Sequence, residues 1–127
     1  SFMQQEHREC IEQCYECAAA CDICASSCLR EDNVEMMKHC IQLDMQCAAI
    51  CRLAAQFMAL ESEYSQKLCR LCADICKACA EECARHDHDH CQNCASFMQQ
   101  EHRECIEQCY ECAAACDICA SSCLRED

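Results

Sequence analysis

The chain has 127 residues, a length that suits one domain, with 22 cysteines, no glycine, no proline and a formal net charge of −13. That acidity argues against nucleic acid and anionic membrane as partners, because both require a basic footprint, and no apolar run approaches the ~20 residues of a transmembrane span. The cysteine share exceeds the ~8–10% that marks a disulfide scaffold in a short secreted chain, yet such scaffolds are loop-rich and well supplied with Gly and Pro.

Abundant Ala, Glu, Gln, Leu and Arg without a helix breaker predict helix nearly throughout. The opening SFMQQEHREC lacks the basic region and apolar run of a secretory signal. A thiol-rich helical chain of this kind reads as a reduced, cytoplasmic metal binder.

The first predicted helix runs from about residue 4 to residue 29 and stops at LREDN. At 100° per residue its Cys10, Cys14, Cys17, Cys21, Cys24 and Cys28 fall within an arc of about 80°. The second, capped by Asp32 or Asn33, reaches about residue 60. It contributes Cys40, Cys47 and Cys51, with Met36 and Met58 extending the face. Asp44 shares that arc, either as an acceptor or ligand beside the thiols or as a surface acid tilted inward. The third, with Ser62 as its cap, spans about residues 63 to 85 and carries Cys69, Cys72, Cys76, Cys79 and Cys83. The turn RHDHDHC, with Asp87 or Asp89 as cap, opens a fourth helix bearing Cys91 and Cys94. Short connections and the absence of a sheet signal predict an all-α, antiparallel four-helix bundle with a cysteine-lined core.

Residues 1–32 recur letter for letter as residues 96–127. The chain thus divides into a bundle unit, 1–95, and a repeat, 96–127, whose lack of any substitution points to a recent or engineered copy. Across the junction Cys91, Cys94, Met98, His102, Cys105, Cys109, Cys112, Cys116, Cys119 and Cys123 share one arc of about 100°. This predicts one extended fourth helix, from about residue 89 to 124, that overhangs its partners and offers its second half to a neighbouring molecule. The rival is a break at Ala95 and Ser96, where SFMQ reads as a Ser-x-x-Gln capping box.

A lone buried cysteine is a small hydrophobe. Unbroken stripes on several helices are not, since Leu and Ala would fill the space with better helix propensity. Disulfides along one helix fail on distance, because Cβ atoms a turn apart lie about 5–6 Å from each other and a disulfide needs ~3.8 Å. Thiolates a turn apart do converge on a soft ion and can share sulfurs with the next pair. Such ligands select Cu(I), zinc or iron–sulfur clusters. Zinc wants four converging ligands, typically from loop-borne pairs, and an iron–sulfur cluster wants a few cysteines around one centre. Cu(I) accepts two or three sulfurs, so a row of low-coordination sites favours multiple copper(I) ions.

The stretches CIEQCYECAAACDICASSC, HCIQLDMQCAAIC, LCRLCADICKACAEEC and RHDHDHCQNCA cover most of residues 10–95. In them the chain resembles the four-helix-bundle copper storage proteins of bacteria. The resemblance implies a bundle that holds many Cu(I) ions on core cysteines, in a homo-oligomer that is a tetramer of bundles, and HDHDHC resembles the cytosolic branch. It also implies two inner thiols at the positions of Met98 and Glu101, before Cys105, which this chain replaces by restarting as SFMQQEHREC.

Antiparallel topology predicts that His39, Met36 and Met37 gather with Cys28, Cys83, His86, His88, His90 and Cys91 at one end, as a soft cluster that passes Cu(I) inward. His90, next to Cys91, is the candidate ligand among them; His86 and His88 serve equally as a polar turn. The other end gathers Met3, His7 and Met58. The acids flanking the stripes, as in ECIEQC and ADICKAC, read as solvated helix faces. No nucleophile–base–orienter set emerges, so the chain does not read as an enzyme. The function expected is storage or buffering of Cu(I), against a thiol-redox sensor, a zinc or metallothionein-like buffer, or an engineered assembly on such a scaffold.

Overall fold

In the computed structural model the backbone is described for residues 2–103 and 107, and side chains for 8–100, 102, 103 and 107. Four helices follow one another, α1 Phe2–Leu29, α2 Val34–Ala59, α3 Ser65–Ala84 and α4 Asp89–Phe97, and α4 runs on into a π-helical turn, Met98–His102. There is no strand among the described residues. Each helix packs on its chain neighbours, and α4 with the π-helical turn closes the ring by packing between α3 and α1. The result is the expected antiparallel four-helix bundle.

The turns show how a chain without glycine ends its helices. After α2, Glu61 adopts a left-handed backbone with φ of 55°. The Glu61 amide donates to the Met58 carbonyl at 3.1 Å and the Ser62 amide to the Phe57 carbonyl at 3.0 Å, the bond pair of a Schellman motif. Asn33 precedes α2 as expected, but its side chain caps nothing. The expected cap Ser62 instead holds the turn, its hydroxyl accepting from the Tyr64 amide at 3.1 Å, and Tyr64 takes the cap position of α3. His88, not Asp87 or Asp89, precedes α4, with Asp89 in its first turn. Gln92 pins the third turn through its side-chain amide, which donates to the carbonyls of Ala84 at 3.1 Å and His86 at 2.6 Å.

The backbone stays helical across Ala95, Ser96 and Phe97, so the capping-box break is not taken there. The wider turn that follows, with the Arg103 amide on the Met98 carbonyl, keeps both Met98 and His102 facing the bundle axis, 3% and 0% exposed. Residues 104–106 and 108–127, with Cys105, Cys109, Cys112, Cys116, Cys119 and Cys123, lie outside the described residues, as do the side chains of Met3 and His7.

The core inverts the usual order of side chains. Cysteine and alanine fill the interior, with Met37, Met58 and Met98. Larger apolar groups stand on the outer surface, among them Ile23, Leu29, Met45, Leu60 and Leu71. Arg52 on α2 bonds Asp22 on α1 across the exposed helix pair, and Lys38 with Glu35 at 2.9 Å adds a pair along α2. Exposed pairs of this kind contribute ~0.2–1 kcal/mol each, so helix packing carries the fold.

Candidate metal centre

All sixteen cysteines from Cys10 to Cys94 are buried, and none is in a disulfide. The helical period turns each stripe inward, and the bundle brings the stripes into contact as a column of sulfur. At its middle Cys47 meets Cys76 at 3.2 Å and Cys51 meets Cys72 at 3.5 Å and Cys76 at 3.6 Å. With Cys17, the Cys47, Cys51 and Cys76 sulfurs form a set whose members all lie within 4.8 Å of one another. A second such set is Cys21, Cys47 and Cys79.

The next tier is built around Asp44, which is fully buried. Its Oδ1 accepts from Cys79 at 3.1 Å, Cys83 at 3.5 Å and Cys94 at 3.8 Å, and its Oδ2 from Cys40 at 3.7 Å. Asp44 is therefore a core acid, and the surface alternative fails. Burial pushes its carboxyl up to about 7, against the thiol hydrogen bonds of Cys24 and Cys79, which pull the other way.

At the end formed by the start of α2 and α4 and the close of α1 and α3, Cys24, Cys28, Cys40 and Cys91 form a third set. Cys28 lies 3.8 Å from Cys91, and Cys40 3.4 Å from Cys83. The His90 Nδ1 stands 3.4 Å from Cys91 and 3.8 Å from both Cys24 and Cys28. Its Nε2 is 3.0 Å from the Glu31 carboxylate, which also reaches His88 at 3.4 Å. Glu82, nearly buried, bonds His86 at 2.9 Å and lies 3.8 Å from His39. The expected histidine end is thus assembled, with Met37 buried and Met36 exposed. Glu31 and Glu82 went unnoticed in the sequence because acids beside a stripe normally face water; only their position opposite the HDHDH turn hinted otherwise.

At the opposite end Met58 is buried with Cys10, Cys14 and Cys69. On the α4 side, Met98 Sδ lies 3.9 Å from Cys47, and the His102 Nε2 3.5 Å from Cys51 and 3.8 Å from Cys72. His102 joins Cys51, Cys72 and Cys76 in a further set. Its place in the α4 arc was the signal for it.

Burial raises the cost of any thiolate in this column. Hydrogen bonding with Cys21, Cys47, Cys51 and Cys76, together with burial, pushes the Cys17 thiol up. Burial first, then the neighbouring Cys40, pushes Cys91 up to about 11. The thiols on which neighbouring S–H groups converge move the other way: Cys47 is pulled down by Cys17 and Cys21, and Cys94 by Cys21 and Cys24. The raised thiols of the metal-free column therefore hold protons that a soft cation displaces as it binds.

The family model for Csp, copper storage protein, matches residues 3–97. The uncharacterized cysteine-rich protein YhjQ of Bacillus subtilis (strain 168) is 46% identical over 92 residues, covering 72% of this chain and 85% of its own. Among solved structures, Cu(I)-bound copper storage protein BsCsp3 is 44% identical with a TM-score of 0.74, covering 85% of this chain and 98% of its own. A cytosolic copper storage protein from Streptomyces lividans with five coppers is 35% identical with a TM-score of 0.77, covering 89% and 96%.

Proposed function

Since the chain belongs to the copper storage protein family, we infer that it stores Cu(I), as many ions bound to the thiols of its bundle core. The observation that carries this reading is the column itself: sixteen buried cysteines outside any disulfide, with cross-helix sulfur contacts from 3.2 to 3.9 Å. Each Cu(I) takes two or three sulfurs, and shared sulfurs let the sites continue from tier to tier. The family is one of storage proteins, and the column offers cargo sites rather than a reaction centre.

Cys10, Cys14, Cys17, Cys21, Cys24, Cys28, Cys40, Cys47, Cys51, Cys69, Cys72, Cys76, Cys79, Cys83, Cys91 and Cys94 serve as the ligands. His90 joins them at the end where copper is admitted, supported by its Nδ1 facing three thiols and its Nε2 held by Glu31. Reduced thiols suit the cytoplasm, and among the described residues no helix is long and apolar enough to cross a membrane. The apolar side chains on the outer surface support a homo-oligomer, as a tetramer of bundles or through the second copy of the first helix. Residues 96–127, the exact second copy of residues 1–32, extend the bundle unit 1–95 through its fourth helix, with Met98 and His102 packed in the core.

Anaerobic titration of reduced, metal-free protein with Cu(I) against a chromophoric chelator tests storage. Many tightly held equivalents are expected, far more than for zinc. One or no equivalent sinks the reading. Sedimentation equilibrium of the same protein tests the assembly, and a monomer at high concentration rejects it.

A further inference from the structure

The set formed by Cys51, Cys72, Cys76 and His102 differs from the others in chemistry, because it offers three sulfurs and one imidazole nitrogen. The edges are 3.5 Å between Cys51 and Cys72, 3.6 Å between Cys51 and Cys76, and 3.8 Å between Cys72 and Cys76. The His102 Nε2 stands 3.5 Å from Cys51 and 3.8 Å from Cys72. Bonds of ~2.3 Å to sulfur and ~2.0 Å to nitrogen, at tetrahedral angles, give edges of roughly 3.5–3.8 Å. Five of the six edges match a tetrahedral ion, and the sixth, His102 to Cys76, lies within 4.8 Å.

Hydrogen bonding alone accounts poorly for His102. The side chain is fully buried, and its Nδ1 has no hydrogen-bond partner. Burying an imidazole with Nδ1 unsatisfied is costly; ligation at Nε2 leaves that nitrogen unpaired, but a metal–nitrogen bond supplies stabilisation that the weak S–H contacts of Nε2 do not. The ring is aimed by the π-helical turn Met98–His102, a feature often found at functional sites. Cys76 and His102 also line a cleft of about 280 Å³ between α3 and the end of the fourth helix, which supplies a lateral route for an ion.

We propose that Cys51, Cys72, Cys76 and His102 form a tetrahedral site for one divalent ion of the zinc class, in which His102 joins three thiols of the Cu(I) column. On binding, the three thiols release their protons to solvent, and the closed site carries a net charge of −1. The neighbouring set of Cys17, Cys47, Cys51 and Cys76 would carry −2 in the same buried surroundings, so the imidazole makes its own set the less costly host for a divalent ion. The two sets share Cys51 and Cys76, so both could be filled together only through bridging thiolates.

Co(II), a spectroscopic stand-in for zinc, tests the site in the reduced, metal-free full chain. One equivalent is expected, with the visible bands of tetrahedral cobalt and thiolate charge transfer, displaced stoichiometrically by Zn(II). His102→Ala should weaken binding by more than the ~10–100-fold that loss of an outer-sphere partner costs. His102→Cys, which keeps four donors, should restore one equivalent with stronger charge transfer, showing that the site is intact rather than unfolded. Absence of tetrahedral cobalt in the wild type overturns the proposal, as does unchanged binding in His102→Ala, which would move the ion to the four-sulfur set. Cu(I) titration of the same samples keeps the two readings apart. Full copper capacity without cobalt binding overturns only this site, and cobalt binding without copper capacity overturns only storage.

Discussion

Asp44 Oδ1 accepts a hydrogen bond from Cys79 at 3.1 Å in the middle of the bundle, and three further thiols, Cys40, Cys83 and Cys94, point at the same carboxyl group. A fully buried carboxyl among weak S–H donors is poorly solvated, and burial moves it up to about 7.

The sign of its effect on metal-free stability follows. The folded value lies above the unfolded one of 3.8, so the contribution is complete below that value, falls as pH rises and is lost by about pH 7. The titratable groups facing Asp44 are Cys24 on α1, Cys40 on α2, Cys79 and Cys83 on α3, and Cys94 on α4. In the metal-free, reduced protein Asp44→Asn should flatten the decline between pH 4 and 7. It should exceed the wild type by about 1–3 kcal/mol at pH 8. Urea unfolding at several pH values checks this, and parallel curves for the two proteins reject it.

Cys76→Ala should lower copper capacity while leaving the fold in place. Cys76 touches Cys47, Cys51 and Cys72, so its loss opens shared sites. The cavity left by one sulfur costs only about 1 kcal/mol. Cu(I) stoichiometry together with far-UV circular dichroism separates the two effects.

Removing all metal with a chelator should leave the protein helical. The buried Ala18, Ala48, Ala54, Ala55 and Met58 pack the column without any ion, unlike a zinc finger, which is unfolded without metal. A random-coil far-UV spectrum for the reduced, metal-free protein would contradict this.

Glu31→Gln should weaken copper capture at the histidine end by about 10-fold, because the carboxylate orients His90 through Nε2 at 3.0 Å. Total capacity should stay the same, since most thiols lie deeper. Stopped-flow loading compared with the end-point stoichiometry distinguishes capture from capacity.

Glu61→Gly should stabilise the metal-free protein by about 0.5–1 kcal/mol. Glu61 holds φ of 55° at the end of α2, a conformation costly for any residue with a Cβ and free for glycine. Thermal melts of the two proteins measure the gain.

The thiol stripes, the four helices and the soft-metal chemistry were legible in the residues alone, because the helical period is local: a cysteine every three or four positions must share a face whatever surrounds it. That same locality carried the stripe through Ala95 and Ser96 and placed Met98 and His102 on it. Helix starts were legible only in outline. Ser62, Asp87 and Asp89 have the right chemistry for caps, but the turns satisfied their backbone groups in other ways. What the tertiary structure alone decided was which groups meet. Whether Asp44 points inward, which thiols Cys47 and Cys51 touch, and that Glu31 and Glu82 hold the histidines all depend on the axial offset and rotation of one helix against the next. Those offsets come from packing of residues far apart in the chain, and no period within a single helix encodes them.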